Sequence, residues 1–163
     1  MQPFNIRPDK LAQEVSDYSR KLGNGIQNLM NAEEIDAGVT PRVEVYREDK
    51  LVLYRYEAPA DVVQNKTPLL IIYALVNRPY MADIQEDRST IKNLLAQGQD
   101  VYLIDWGYPD ESDSALTMDD YLNGYIDRCV DVIRKRHKLD KINLLGICQG
   151  GSFSLCYTSL NEV

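Results

Sequence analysis

The stretch Asn143-Leu144-Leu145-Gly146-Ile147-Cys148-Gln149-Gly150-Gly151 decides the fold. The run Lys141–Leu145 leads in as a strand buried in a sheet. A helical pattern with Phe153, Cys156, Tyr157 and Leu160 on its apolar face leads out. A G-x-C-x-G element at a strand-to-helix junction is the context of a nucleophile elbow. The spacing has a steric cause. The nucleophile occupies a strained turn, and glycine two residues to either side lets strand and helix approach without Cβ clashes. The side chain is pushed out at the C-terminal end of the sheet. The helix that opens at Gln149 aims its unpaired N–H groups and its dipole at the same place, which stabilises developing negative charge.

Cys148 is therefore the candidate nucleophile, between elbow glycines Gly146 and Gly150. Cysteine in place of the usual serine makes a thioester, which keeps an acyl group activated for a second acceptor. The chemistry tilts towards acyl transfer. A cysteine thioesterase or esterase that gives the acyl group to water is the alternative. Cys129 and Cys156 fall on apolar helical faces and read as core residues. His137 stands at the basic end of a helix, one strand before Cys148. As a histidine it is a candidate general base, but that strand carries it to the opposite end of the sheet, where it is expected as a capping surface residue.

Working backwards, Leu69–Val76 is continuously apolar and reads as a strand buried on both faces. In an elbow fold the loop after this strand supplies the second oxyanion donor. A backbone N–H of Val76 or Asn77 is expected to face that of Gln149. In the same loop, Arg78 has two readings, greeting an anionic substrate or pairing with Asp83 or Glu86. Val101–Trp106 is a second buried strand. Asp105 at its end has two readings, lining the site or making a loop-fixing hydrogen bond, and the second is expected.

Between these strands the helix signals are distinct. Ser89 caps a helix carrying Ile91, Leu94 and Leu95 that stops near Gly98. Thr117 and Asp120 resemble a capping box. They open a helix with Tyr121, Leu122, Tyr125, Ile126, Cys129, Val130 and Ile133 on one face. Upstream, Val43–Tyr46 and Leu51–Tyr56 read as a hairpin with a four-residue turn, each strand alternating as if wet on one face. At the start, Leu11, Val15, Tyr18, Leu22, Ile26 and Leu29 make a helical stripe, with a break or bend expected at Gly23 and Gly25. The order predicts a mixed sheet: an antiparallel hairpin, then parallel strands with helices on both faces.

Composition limits the alternatives. The chain has 163 residues and a formal net charge of −7, so it is a poor candidate for non-specific nucleic-acid binding. No apolar run approaches the roughly 20 residues of a transmembrane segment. One histidine excludes a His-rich metal site, and three cysteines without a C-x-x-C pair fit the cytoplasm. No P-loop or GxGxxG fingerprint points to a nucleotide cofactor.

The chain closely resembles the catalytic subunit of class III, two-subunit polyhydroxyalkanoate synthases. The likeness is carried by Ile6–Leu11, Asp17–Gly23, Leu51–Tyr56, Tyr73–Met81, Ile84–Thr90, Tyr102–Pro109 and Asn143–Gly151. It implies an α/β-hydrolase fold, of which residues 41–163 would be the N-terminal part up to the elbow and the following helix, preceded by a helical arm over 1–40. It implies that Cys148 takes (R)-3-hydroxyacyl groups, typically 3-hydroxybutyryl, from coenzyme A and extends a polyester held as a thioester. Coenzyme A would come with the substrate, and no separate cofactor is expected. Family members pair catalytic subunits in a homodimer, work with a second non-catalytic subunit, and sit on cytoplasmic polyester granules. The family's Asp and His partners lie well downstream of the elbow. The chain is thus expected to be a piece of a longer enzyme, inactive by itself. A non-catalytic granule-associated module is the remaining alternative.

Overall fold

The computed structural model describes residues 8–30 and 38–161. The chain divides into two compact units, Met1–Ile35 and Asp36–Val163.

In the first unit, α1 (Pro8–Met30) runs unbroken through Gly23 and Gly25. The expected break is absent. Glycine weakens a helix by about 1 kcal/mol relative to alanine but does not end one without a left-handed turn, and neither glycine has a positive φ. Val15, Tyr18, Leu22 and Ile26 are each at least half exposed. The side chains of Leu11 and Leu29 lie outside the described residues.

The second unit opens with a hairpin, β1 (Arg42–Glu48) and β2 (Leu51–Tyr56). The turn is two residues long, not four, because Arg47 and Glu48 still pair with Val52 and Leu51. Asp49 takes φ 50° to close it. The register shifts between Glu44 and Tyr46, leaving Val45 as a bulge. β2 does not alternate as expected. Leu51, Val52 and Leu53 are buried in succession, because β2 has a neighbour on each side and is covered on both faces.

β3 (Leu69–Ile72) is wholly buried but stops four residues short of the expected Val76. Tyr73 and Ala74 continue into the core, while Val76 is 86% exposed. A 3₁₀ turn (Pro79–Ala82) and a small ribbon, β4 (Asp83–Gln85) with β5 (Arg88–Ser89), follow. Short strands of two and three residues carry too little periodicity to be read in advance. α2 (Thr90–Ala96) is capped as expected, Lys92 N donating to Ser89 Oγ at 2.9 Å. β6 (Val101–Asp105) is next.

Thr117 and Asp120 form the reciprocal box: Thr117 N donates to Asp120 Oδ2 at 2.7 Å, and Asp120 N to Thr117 Oγ1 at 3.4 Å. The helix is π-wound over Asp120–Ile126 before α3 (Asp127–His137). β7 (Asn143–Gly146) and α4 (Gln149–Leu160) complete the fold. Leu160, expected on the buried face of α4, is 65% exposed.

The five-stranded sheet has the order β1-β2-β6-β3-β7. The β1–β2 and β2–β6 pairs are antiparallel, and β6–β3 and β3–β7 are parallel. This is the expected mixed sheet. The chain steps from β3 to β6 on one side, then crosses β3 to reach β7 on the other. Right-handed crossovers therefore place α2 and α3 on opposite faces. In this sheet β7 is an outer strand, and its Leu144 and Leu145 are half-buried, not buried as expected.

Candidate active site

The C-terminal ends of β3, β6 and β7 meet at one edge of the sheet. There β7 turns into α4 within two residues, and Cys148 takes φ 57° and ψ −125°. That conformation is unfavourable for any residue with a Cβ and is held by the surroundings. Ile147 N donates to Ile72 O at 2.8 Å, extending the parallel pairing beyond the strand. Gly151 N then donates to Cys148 O at 2.9 Å, closing the first turn of the helix. The result exposes the Cys148 side chain at the surface.

Both elbow glycines are sterically required. A Cβ on Gly146 would lie 2.4 Å from Gly151 Cα. One on Gly150 would lie 2.0 Å from Ile72 O. Gly151 is different: its Cβ would find nothing nearer than 3.6 Å. The other thiols are structural in setting. Cys129 is fully buried, and burial pushes its pKa up to about 12. Cys156 is partly buried against the core.

The loop after β3 lies against the start of α4. Leu75 N donates to Gln149 Oε1 at 3.2 Å. Asn77 N donates to Ala74 O at 3.0 Å, so the Asn77 N–H serves a turn. Of the two expected loop donors, the Asn77 N–H is thus engaged within the loop. Gln149 N is the first amide of α4, where helical geometry provides no intrahelical acceptor.

The loop after β6 braces the same region. Asp105 Oδ1 accepts from Gly107 N at 3.0 Å and from Tyr73 Oη at 3.4 Å, the loop-fixing role expected of it. Burial, with Asp105 adding to it, pushes the Tyr73 hydroxyl well above its ordinary range. Trp106 Nε1 donates to Tyr73 O at 2.9 Å. Arg78 pairs with neither Asp83 nor Glu86. Its Nη1 donates to Gly107 O at 2.8 Å, and its guanidinium lies 3.5 Å from the centre of the Tyr108 ring. The acidic residues are engaged elsewhere: Asp83 is buried on Thr40, and Glu86 accepts from Lys92. Trp106 also meets Tyr121 and Phe153 edge-on, at centroid distances of 5.6 and 6.4 Å. Sequence spacing carries no sign of this aromatic cluster, whose members come from three separate elements.

His137 lies at the other end of the sheet, as its place in the chain predicts, but it is not a surface cap. Only 18% of its side chain is exposed. Nε2 lies 2.8 Å from Tyr102 Oη and 3.3 Å from Asp100 Oδ2. Asp100 also receives Arg55 Nε at 2.8 Å. Among the described residues, no group of three or more His, Cys, Asp or Glu side chains is placed to hold a metal ion, and no helix is long and apolar enough to cross a membrane.

Residues 67–162 match the model of the alpha/beta hydrolase fold family. The chain is 70% identical over 161 residues to the poly(3-hydroxyalkanoate) polymerase subunit PhaC of Thiocystis violacea, covering 99% of this chain and 45% of that protein. It is also 70% identical to the subunit of the same name from Allochromatium vinosum, over 99% of this chain and 46% of that one. Identity to the Synechocystis subunit is 54%, over 98% and 43%. The resemblance drawn from the motifs is thus borne out, and the chain spans a little under half the length of these relatives. With a matched family model over most of its length and a mixed sheet that delivers Cys148 on a tight strand-to-helix turn, the chain belongs to the alpha/beta hydrolase fold family.

Proposed function

We propose that this chain carries the nucleophile of an acyltransferase that polymerises (R)-3-hydroxyacyl groups, typically 3-hydroxybutyryl, from coenzyme A. The observation that carries the reading is Cys148, held exposed at φ 57° on a strand-to-helix turn, in a chain 70% identical to polymerase subunits. Cys148 Sγ gives its proton to solvent and, as the thiolate, attacks the thioester carbonyl carbon. The C=O electron pair moves onto oxygen, and the oxyanion rests between the N–H groups of Gln149 and Val76. Collapse expels the coenzyme A thiolate, which takes a proton from solvent, and leaves the acyl group on Cys148. A hydroxyl from a second hydroxyacyl unit then attacks this thioester, forming the ester bond of the polymer and releasing the thiol.

The same reading brings the setting expected from the family resemblance: a second, non-catalytic subunit, pairing of catalytic subunits, and a polyester granule in the cytoplasm. It also bears on the 163 residues as a catalyst. Their one histidine, His137, is tied to Tyr102 and Asp100 at the far end of the sheet. The 163-residue chain is therefore proposed to load acyl groups without sustained turnover.

The test is to incubate the chain with 3-hydroxybutyryl-coenzyme A and map the adduct by peptide mass spectrometry. A hydroxybutyryl group on Cys148, absent in Cys148→Ala, with no more than about one equivalent of coenzyme A released, is the expected result. An adduct elsewhere, or continuing release of free 3-hydroxybutyrate, would sink the reading.

A further inference from the structure

The side chain of Gln149 has no part in the steps above, yet among the described residues it makes the one side-chain hydrogen bond between α4 and the loop after β3. Its Oε1 accepts from Leu75 N across 74 residues of sequence. The loop is held at two further points: Asn77 N on Ala74 O through backbone, and the Arg78 side chain, Nη1, on Gly107 O. Val76 lies between the Leu75 and Asn77 ties. Gln149 and Val76 are both exposed, so water competes for the Gln149–Leu75 bond and its contribution to global stability is small. Its consequence is geometric. It couples the backbone beside Val76 to the residue whose own N–H opens α4.

We propose that Gln149 is a positioning residue. Through its side-chain oxygen it holds Leu75, and thereby sets the Val76 N–H at the separation from the Gln149 N–H that an oxyanion requires. This rests on the reading that Cys148 forms an acyl thioester. The bond would matter only where negative charge develops on a carbonyl oxygen. Acylation passes through such an oxyanion. Alkylation of the same sulfur by iodoacetamide does not: the S–C bond forms as the C–I bond breaks, and iodide carries the charge away.

The experiment compares two rates at Cys148 in the full chain, acylation by 3-hydroxybutyryl-coenzyme A and alkylation by iodoacetamide. The variants are Gln149→Met, which keeps length but replaces the amide oxygen with a weakly accepting thioether, and Gln149→Ala, which has no side-chain acceptor. Far-UV circular dichroism checks that each is folded. The expected result is an acylation-to-alkylation ratio lowered by about tenfold in both. Amide exchange at Leu75 should also be faster in both variants, with Asn77 unchanged. Wild-type acylation at Cys148 with a ratio in Gln149→Met within about twofold of wild type overturns the positioning role and leaves the nucleophile standing. Absence of any acyl group on wild-type Cys148 overturns both.

Discussion

A Cβ at position 150 would sit 2.0 Å from the carbonyl oxygen of Ile72. That carbonyl already accepts Ile147 N at 2.8 Å, so it cannot retreat without breaking the pairing that sets the elbow. Gly150→Ala is expected to destabilise the fold by about 3 kcal/mol or more, since backbone has to move. Urea denaturation of wild type and variant checks this. Gly151→Ala, with ordinary contacts at 3.6 Å, serves as the control with little change.

Strain at Cys148 gives a prediction of opposite sign. Glycine adopts φ 57°, ψ −125° at little cost, whereas cysteine is held there by its neighbours. Cys148→Gly is expected to raise stability by about 1 kcal/mol while abolishing acyl loading. The pair of measurements is a thermal melt and the mass of the acylated chain. A loss of stability would show that the turn is not strained by its side chain.

Asp83 is fully buried and accepts two hydrogen bonds from Thr40, from N and from Oγ1, each at 2.8 Å. Asp83→Ala would leave a buried N–H without a partner. The expected cost is about 2–3 kcal/mol, read from the denaturant midpoint. Thr40→Ser, which keeps both donors, is expected to cost less than Asp83→Ala.

His137 sets a pH dependence. Burial lowers its pKa below the ordinary 6.5. Asp100 opposes that shift, and the nearby Arg55 and Arg136 add to it. With Nε2 unprotonated, Tyr102 Oη donates to it at 2.8 Å. The folded state therefore takes up a proton less readily than the unfolded chain. The stability it contributes is complete above about pH 6.5 and is lost as pH falls through the lower folded value. Wild type is expected to lose more of its urea midpoint between about pH 7.5 and about pH 5.5 than His137→Gln does. Equal losses would remove His137 from the account.

Much of this architecture is visible along the chain because it rests on local chemistry. Ser89 and Thr117 cap helices through partners three residues away, within reach of any reader of the sequence. Gly146 and Gly150 mark the elbow because the approach of strand to helix is a short-range steric problem. The burial of Leu51–Leu53 is not visible in this way. It depends on β6, some fifty residues on, lying beside β2. Nor can spacing show that Arg78 meets Gly107 and Tyr108 when acidic residues stand nearer in sequence.

The amino-acid order alone determined the succession of the strands of the main sheet and their helices, the mixed sheet and the position of the tight turn at Cys148, since each follows from periodicity, caps or steric demands within a few residues. Tertiary structure decided what surrounds that turn: Leu75 on Gln149, Tyr73 on Asp105, and His137 drawn to Tyr102 at the opposite end. Those contacts join elements about thirty or more residues apart. Which polar groups meet there depends on strand order and register, and neither is written in any local stretch of chain.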